Sequence, residues 1–112
     1  MKTEHQEQVE TVNWWRATFP SILLFAIPNG GFRHPATAKK LKAEGVVRGI
    51  PDLFAPEWSL WLEMKRCKGS LSPHQKSMIE YLKSNGHFVI VGKGFEDAKT
   101  QVLSFAEARK KW

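Results

Sequence analysis

The chain contains one cysteine, Cys67, so an intramolecular disulfide is excluded, and no Cys/His pairing has the spacing that holds zinc. Cys67 reads as an ordinary reduced thiol. No apolar run reaches the ~18 residues a spanning helix needs, and the N-terminus lacks the order of a secretory signal. A soluble, cytoplasmic protein is expected. Repeats, low-complexity tracts and interdomain linkers are also missing. Residues 1–112 should therefore form one domain, large enough to bury much of the 42% apolar content but too small for two cores. Acidic residues are the scarcer charge: eleven Asp and Glu against seventeen Lys and Arg, a formal +6. A basic surface attracts polyanions, which makes nucleic acid the leading partner class and an anionic membrane surface its rival.

Periodicity and punctuation order the elements. Val9, Val12 and Trp15 fall at helical spacing in a helix expected over residues 4–18, stopped by Pro20. Residues 22–27 read as a buried-type strand and Pro28-Asn29-Gly30-Gly31 as a turn. Residues 35–44 read as a basic helix with Lys39, Lys40 and Lys42, ending at Gly45. Residues 52–54 and 59–65 form an expected hairpin around the loop Pro56–Ser59. Ser72 as N-cap, Pro73 as first helical residue and Asn85-Gly86 as terminator bracket a helix through Met78, Tyr81 and Leu82. A short strand over residues 88–91 follows, then a helix over residues 95–110 with Ala98, Val102, Phe105 and Ala106 as its apolar stripe. Trp15 and Trp61 are expected in the core, whereas Trp58 at the hairpin tip and Trp112 are expected to be exposed, as base-stacking or dimer-contact candidates. This order implies an α/β fold with a mixed central sheet flanked by helices.

The chemistry concentrates at Asp52, Glu63 and Lys65. Side chains two apart on a strand share a face, so Glu63 and Lys65 point the same way. The hairpin register folds Asp52 back opposite Glu63. Two carboxylates this close repel unless a cation lies between them, and hard oxygen ligands suit Mg²⁺ or Mn²⁺. Such a site activates water and offsets charge on a phosphoryl oxygen, with a lysine at hand to orient the nucleophile. The bland alternative makes Asp52 a turn residue and Glu63 and Lys65 a surface ion pair, worth only about 0–1 kcal/mol.

Gly49-Ile50-Pro51-Asp52-Leu53, then Glu63-Met64-Lys65, then Leu71-Ser72-Pro73-His74-Gln75, closely resemble the motifs of the virus-type replication-repair nuclease (VRR-NUC) domain of the PD-(D/E)XK nuclease superfamily. Upstream, Glu4 and Gln8 resemble that family's E-x-x-x-Q helix, and Pro28-Asn29-Gly30-Gly31 its P-N-G-G turn. The resemblance covers residues 4–100. It implies a restriction-endonuclease-like core: an N-terminal helix, a three-strand meander, a helix and a further strand. It also implies a metal held by Asp52, Glu63 and the Met64 carbonyl, with Lys65 orienting the water. A first-helix glutamate often completes the metal shell in this superfamily; the motif favours Glu4, but Glu7 and Glu10 compete, and Glu4 and Glu7 share a helix face. A solvated acidic turn complementing the helix dipole is the plain alternative. Gln75 falls where the family has a polar residue near the site.

Asn29 and the two glycines Gly30 and Gly31 could let the backbone approach a phosphate, a plain turn being the alternative. Arg33, Lys39, Lys40, Lys42 and Arg48 place five cations within sixteen positions, a candidate DNA-gripping surface. His34, His74 and His87 read as turn or surface residues rather than bases or ligands. The first hypothesis is a Mg²⁺- or Mn²⁺-dependent DNA endonuclease with no small-molecule cofactor. Stand-alone members of the family it resembles are homodimers acting on branched DNA, which implies cleavage of four-way (Holliday) junctions. A phage origin, and hence a bacterial host cytoplasm, rests on the same resemblance. The alternatives are a non-catalytic basic DNA-binding module and a superfamily nuclease with another substrate, such as a flap, linear duplex or RNA.

Overall fold

The computed structural model describes residues 1–28 and 34–111. The elements run α1 (Glu4–Thr18), β1 (Phe25–Ala26), α2 (Pro35–Ala43), β2 (Leu53–Ala55), β3 (Leu60–Lys65), α3 (Pro73–Ser84), β4 (Phe88–Lys93) and α4 (Phe95–Arg109). Among the described residues the strands form one sheet in the order β1-β2-β3-β4, antiparallel except for the parallel β3–β4 pair. This is the mixed, helix-flanked α/β sheet expected. Among the described residues no helix is long and apolar enough to cross a membrane.

Alternation along β3 sorts its side chains. Leu60, Leu62 and Met64 enter the core with Leu53, Ala55 and Ile90, beneath Trp15 of α1 and Ala98 and Val102 of α4. Each fully buried leucine contributes about 1.5–3 kcal/mol of apolar transfer. The opposite face carries Trp61, Glu63 and Lys65, and α3 approaches it through Gln75. The hydrophobic layer thus fixes which way the charged residues point.

Capping explains the helix starts. Thr3 and Gln6 form a reciprocal capping box on α1, and Ser72 and Gln75 form another on α3. Gly94, the N-cap of α4, has no side chain to offer. Glu7 takes that role across the fold, its Oε1 accepting from the Phe95 N–H at 2.9 Å.

Several expectations need correction. The face α1 buries is Glu7, Thr11 and Trp15, an i, i+4, i+8 row, while Val9 is exposed and Val12 only partly covered. The strand expected over residues 22–27 shrinks to Phe25–Ala26, and both residues are exposed. It is an edge strand, and an apolar run cannot by itself tell an edge from a buried centre. The hairpin loop is a 3-10 turn over Pro56–Trp58, with Ser59 at a left-handed φ of 48°. Trp58 is therefore not a projecting tip residue. Only 7% exposed, it packs against Trp15, Phe19 and Phe105. Trp61 is half-buried rather than core; it stacks on Phe54 at 4.2 Å and donates from Nε1 to His87. Strand β4 runs two residues past the expected Val91, to Lys93. Asn29, Gly30, Gly31, Arg33 and Trp112 lie outside the described residues.

Candidate active site

The site begins with strand register. Leu53 pairs with Leu62, Phe54 with Trp61 and Ala55 with Leu60, so continuing the ladder by one step sets Asp52 opposite Glu63. Asp52 has left the strand proper, and its Oδ2 accepts from the Met64 N–H at 2.7 Å. Its own carbonyl accepts from the Ile27 N–H at 2.9 Å, tying the end of β1 to the same point. The aspartate is thus held from both neighbouring strands.

Glu63 is 2% exposed and Lys65 9%, which removes the surface ion-pair reading. Lys65 Nζ lies 3.9 Å from Glu63 Oε2. Gln75 Nε2 approaches the same oxygen at 3.3 Å, while Gln75 Oε1 is held by the Ser72 N–H at 2.9 Å. The capping box therefore fixes which end of the amide faces the carboxylate. Burial, aided by the charge of and a hydrogen bond with Asp52, pushes the Glu63 carboxyl up from near 4.5 to about 9; Lys65 opposes this and Glu4 adds to it. The proximity of Asp52 thus favours the protonated form of Glu63. A hard cation could take the place of that proton.

A cleft of about 260 Å³ opens over this pair, lined by Glu4, Arg48, Asp52, Glu63, His74 and Gln75, among others. Glu4 and Arg48 are thus brought to the site. Lys39, Lys40 and Lys42 remain exposed on α2, which buries no residue, and do not line the cleft. Of the competing glutamates, Glu7 is engaged at the start of α4 and Glu10 pairs with Lys2. His34 caps α2 and His87 serves Trp61, whereas His74 lies at the cleft rim. Sequence reasoning set His74 aside, and its place two residues into a helix that starts beside the site was the signal available.

Could these residues hold a metal? Among the described residues no three His, Cys, Asp or Glu side chains gather into a metal-holding group, so a closed protein cage does not fit. The Lys65 carbonyl is taken on the β4 side by the Gly94 N–H, so by strand alternation the Met64 carbonyl points toward Asp52. Two carboxylates and one carbonyl suit an ion that keeps several waters, as Mg²⁺ and Mn²⁺ do.

One more residue shapes the cleft. Gly49 has a φ of +83°, and a Cβ there would lie 2.7 Å from the His74 carbonyl oxygen. The loop before Asp52 can lie against the start of α3 only because residue 49 lacks a side chain.

Neither a protein-family model nor a curated protein matches the sequence. Among solved structures the chain is similar to one described as a VRR_NUC domain protein, at 25% identity and a TM-score of 0.73, with 91% of this chain and 86% of that chain covered. The strand register that brings Asp52 against the Glu63-Met64-Lys65 strand, together with that likeness over nearly the whole length, makes this chain a VRR-NUC-like domain.

Proposed function

We propose that the protein is a metal-dependent endonuclease that hydrolyses phosphodiester bonds in DNA. The observation that carries this reading is the meeting of a half-buried Asp52 with a buried Glu63 at the cleft, the Lys65 ammonium beside them. In it Asp52, Glu63 and the Met64 carbonyl would hold Mg²⁺ or Mn²⁺, with Glu4 at the cleft rim as a further candidate ligand. A divalent ion bound there makes water nucleophilic near neutral pH and offsets charge on the phosphoryl oxygens. The Met64 N–H keeps Asp52 aimed at the pair, and Gln75 orients the Glu63 carboxylate. Lys65 orients the attacking water and stabilises charge developing on the phosphate. Arg48 meets the DNA backbone at the mouth, and the lysines of α2 steer it in. Branched DNA is the substrate class we assign, on the motif resemblance, and a homodimer would set two such sites about a twofold axis to cut two strands.

The test compares cleavage of a four-way junction, a flap, linear duplex and single-stranded RNA by the wild type and Lys65→Ala, with Mg²⁺ or Mn²⁺ supplied. Metal-dependent junction cleavage that the Lys65→Ala variant loses is expected. Preference for another DNA form would replace the substrate assignment alone. Intact nucleic acid in every lane would end the nuclease reading in favour of a binding module.

A further inference from the structure

The first turn of α3 separates two clefts. Ser72, His74 and Gln75 face the candidate active site; on the other side lies a second cleft of about 480 Å³, lined by Lys65, Ser70, Lys76, Lys93 and Asp97 among others. Lys65 joins them, since it lines the second cleft while standing 3.9 Å from Glu63 in the first. The second cleft is positive. Its one carboxylate is occupied, Asp97 Oδ2 accepting from the Lys93 N–H at 2.8 Å and from Gln101 Nε2 at 3.0 Å. Lys76 on α3 and Lys93 on β4 are exposed, and among the described residues neither ammonium lies within ion-pair distance of a carboxylate. Three lysines converge there against one lining carboxylate, and Lys76 and Lys93 are left without an ion-pair partner among the described residues.

We propose that Lys76 and Lys93, with the Ser70 hydroxyl beside them, bind a phosphodiester of the DNA strand next to the one that is hydrolysed. This rests on the nuclease reading above. A ligand that answers both clefts must carry negative charges at intervals, and a strand laid across the first turn of α3 places successive phosphates on either side of Lys65. Lysines supply point charges without the fixed fork of arginine, so this subsite grips the backbone without reading bases.

The test measures junction affinity against salt between about 50 and 200 mM in the Asp52→Asn background, for Lys76→Ala, Lys93→Ala, the double variant and a remote control, Lys110→Ala/Lys111→Ala. The slope of log K on log salt should become shallower by about 0.9 per lost duplex contact, about twice that in the double variant, with the control unmoved. A methylphosphonate replacing the phosphate beside the scissile bond should weaken the parent and add nothing to the double variant. An unchanged slope in the double variant, or fully additive loss with the methylphosphonate, overturns the subsite. So does occupancy by inorganic phosphate that leaves DNA affinity untouched. Cleavage that needs Lys65, with slopes unmoved, sinks this proposal alone; shifted slopes in a protein whose wild type never cuts sink the nuclease reading and leave the phosphate subsite standing.

Discussion

The Asp52 carboxylate accepts the Met64 N–H at 2.7 Å, so one side chain both closes the β2–β3 ladder and supplies half of the acidic pair. Asparagine can still accept that hydrogen bond, whereas alanine leaves a buried N–H without a partner, at a cost of about 1–3 kcal/mol. Asp52→Asn should therefore melt at or above the wild-type temperature in EDTA, because it also relieves the repulsion on Glu63, and should lose more than about 100-fold in cleavage, the upper end for residues that merely support metal ligands. Asp52→Ala should lose both stability and activity. Thermal melts and single-turnover cleavage check this, and near-normal cutting by Asp52→Asn would remove Asp52 from the chemistry.

Glu63 makes stability depend on pH. Its carboxyl is pushed up to about 9 by burial and by Asp52, against about 4.5 in the unfolded chain, so between these values the folded state holds more protons than the unfolded one. The contribution is fully present below about pH 4.5, declines as pH rises and levels off above about 9, with a slope of at most about 1.4 kcal/mol per pH unit. Urea midpoints taken in EDTA from pH 5 to 9 should fall for the wild type and stay flatter for Glu63→Gln. Magnesium, standing in for the proton, should flatten the wild-type curve as well. Parallel curves for the two proteins in EDTA would show that Glu63 is ionised throughout.

How much of this could be read from the chain differs by residue, for physical reasons. The opposition of Asp52 and Glu63 follows from strand spacing and a short connection, both local properties, and the start of α3 follows from Ser72 and Pro73. The same segment held a further signal: Ser72 and Gln75 have capping-box spacing, which would have predicted that the Gln75 amide is held with its Nε2 free to face Glu63. The burial of Trp58 was not legible, because it depends on Trp15, Phe19 and Phe105 arriving from two helices and a loop. Nor was the engagement of Glu7 at Phe95, 88 residues away in sequence. Composition gave the basic surface but could not divide Lys65, Lys76 and Lys93 from the lysines of α2, since only the sheet and α3 bring those three to one cleft.

Glu4 and Glu7 share a helix face yet should behave oppositely when changed. Glu7 is 6% exposed and caps α4, so Glu7→Ala should cost about 1–3 kcal/mol by stranding the Phe95 N–H, and Glu7→Gln, which keeps an acceptor oxygen, should cost less. Neither should change cleavage per folded molecule. Glu4 is exposed and lines the acidic cleft, so Glu4→Gln should leave the melting temperature within a degree or two and raise the Mg²⁺ concentration needed for half-maximal cleavage. Denaturation curves paired with metal titrations separate the two, and an exchanged pattern would assign Glu7 to the metal.

Gly49 offers a lesion that spares every charged residue of the site. A methyl group there meets the His74 carbonyl oxygen at 2.7 Å on a backbone with a φ of +83°, and both penalties act on the seam between the loop before Asp52 and the start of α3. Backbone cannot yield as a flexible side chain does, so Gly49→Ala should destabilise the fold by about 1–3 kcal/mol. Relief of the clash must part Gln75 from Glu63 or shift Asp52 from Met64. Cleavage by the folded fraction should then fall, while the salt dependence of DNA binding should change by no more than the single contact assigned to the neighbouring Arg48. Full activity in a fully folded Gly49→Ala protein would mean that this loop can leave α3 without disturbing the acidic pair.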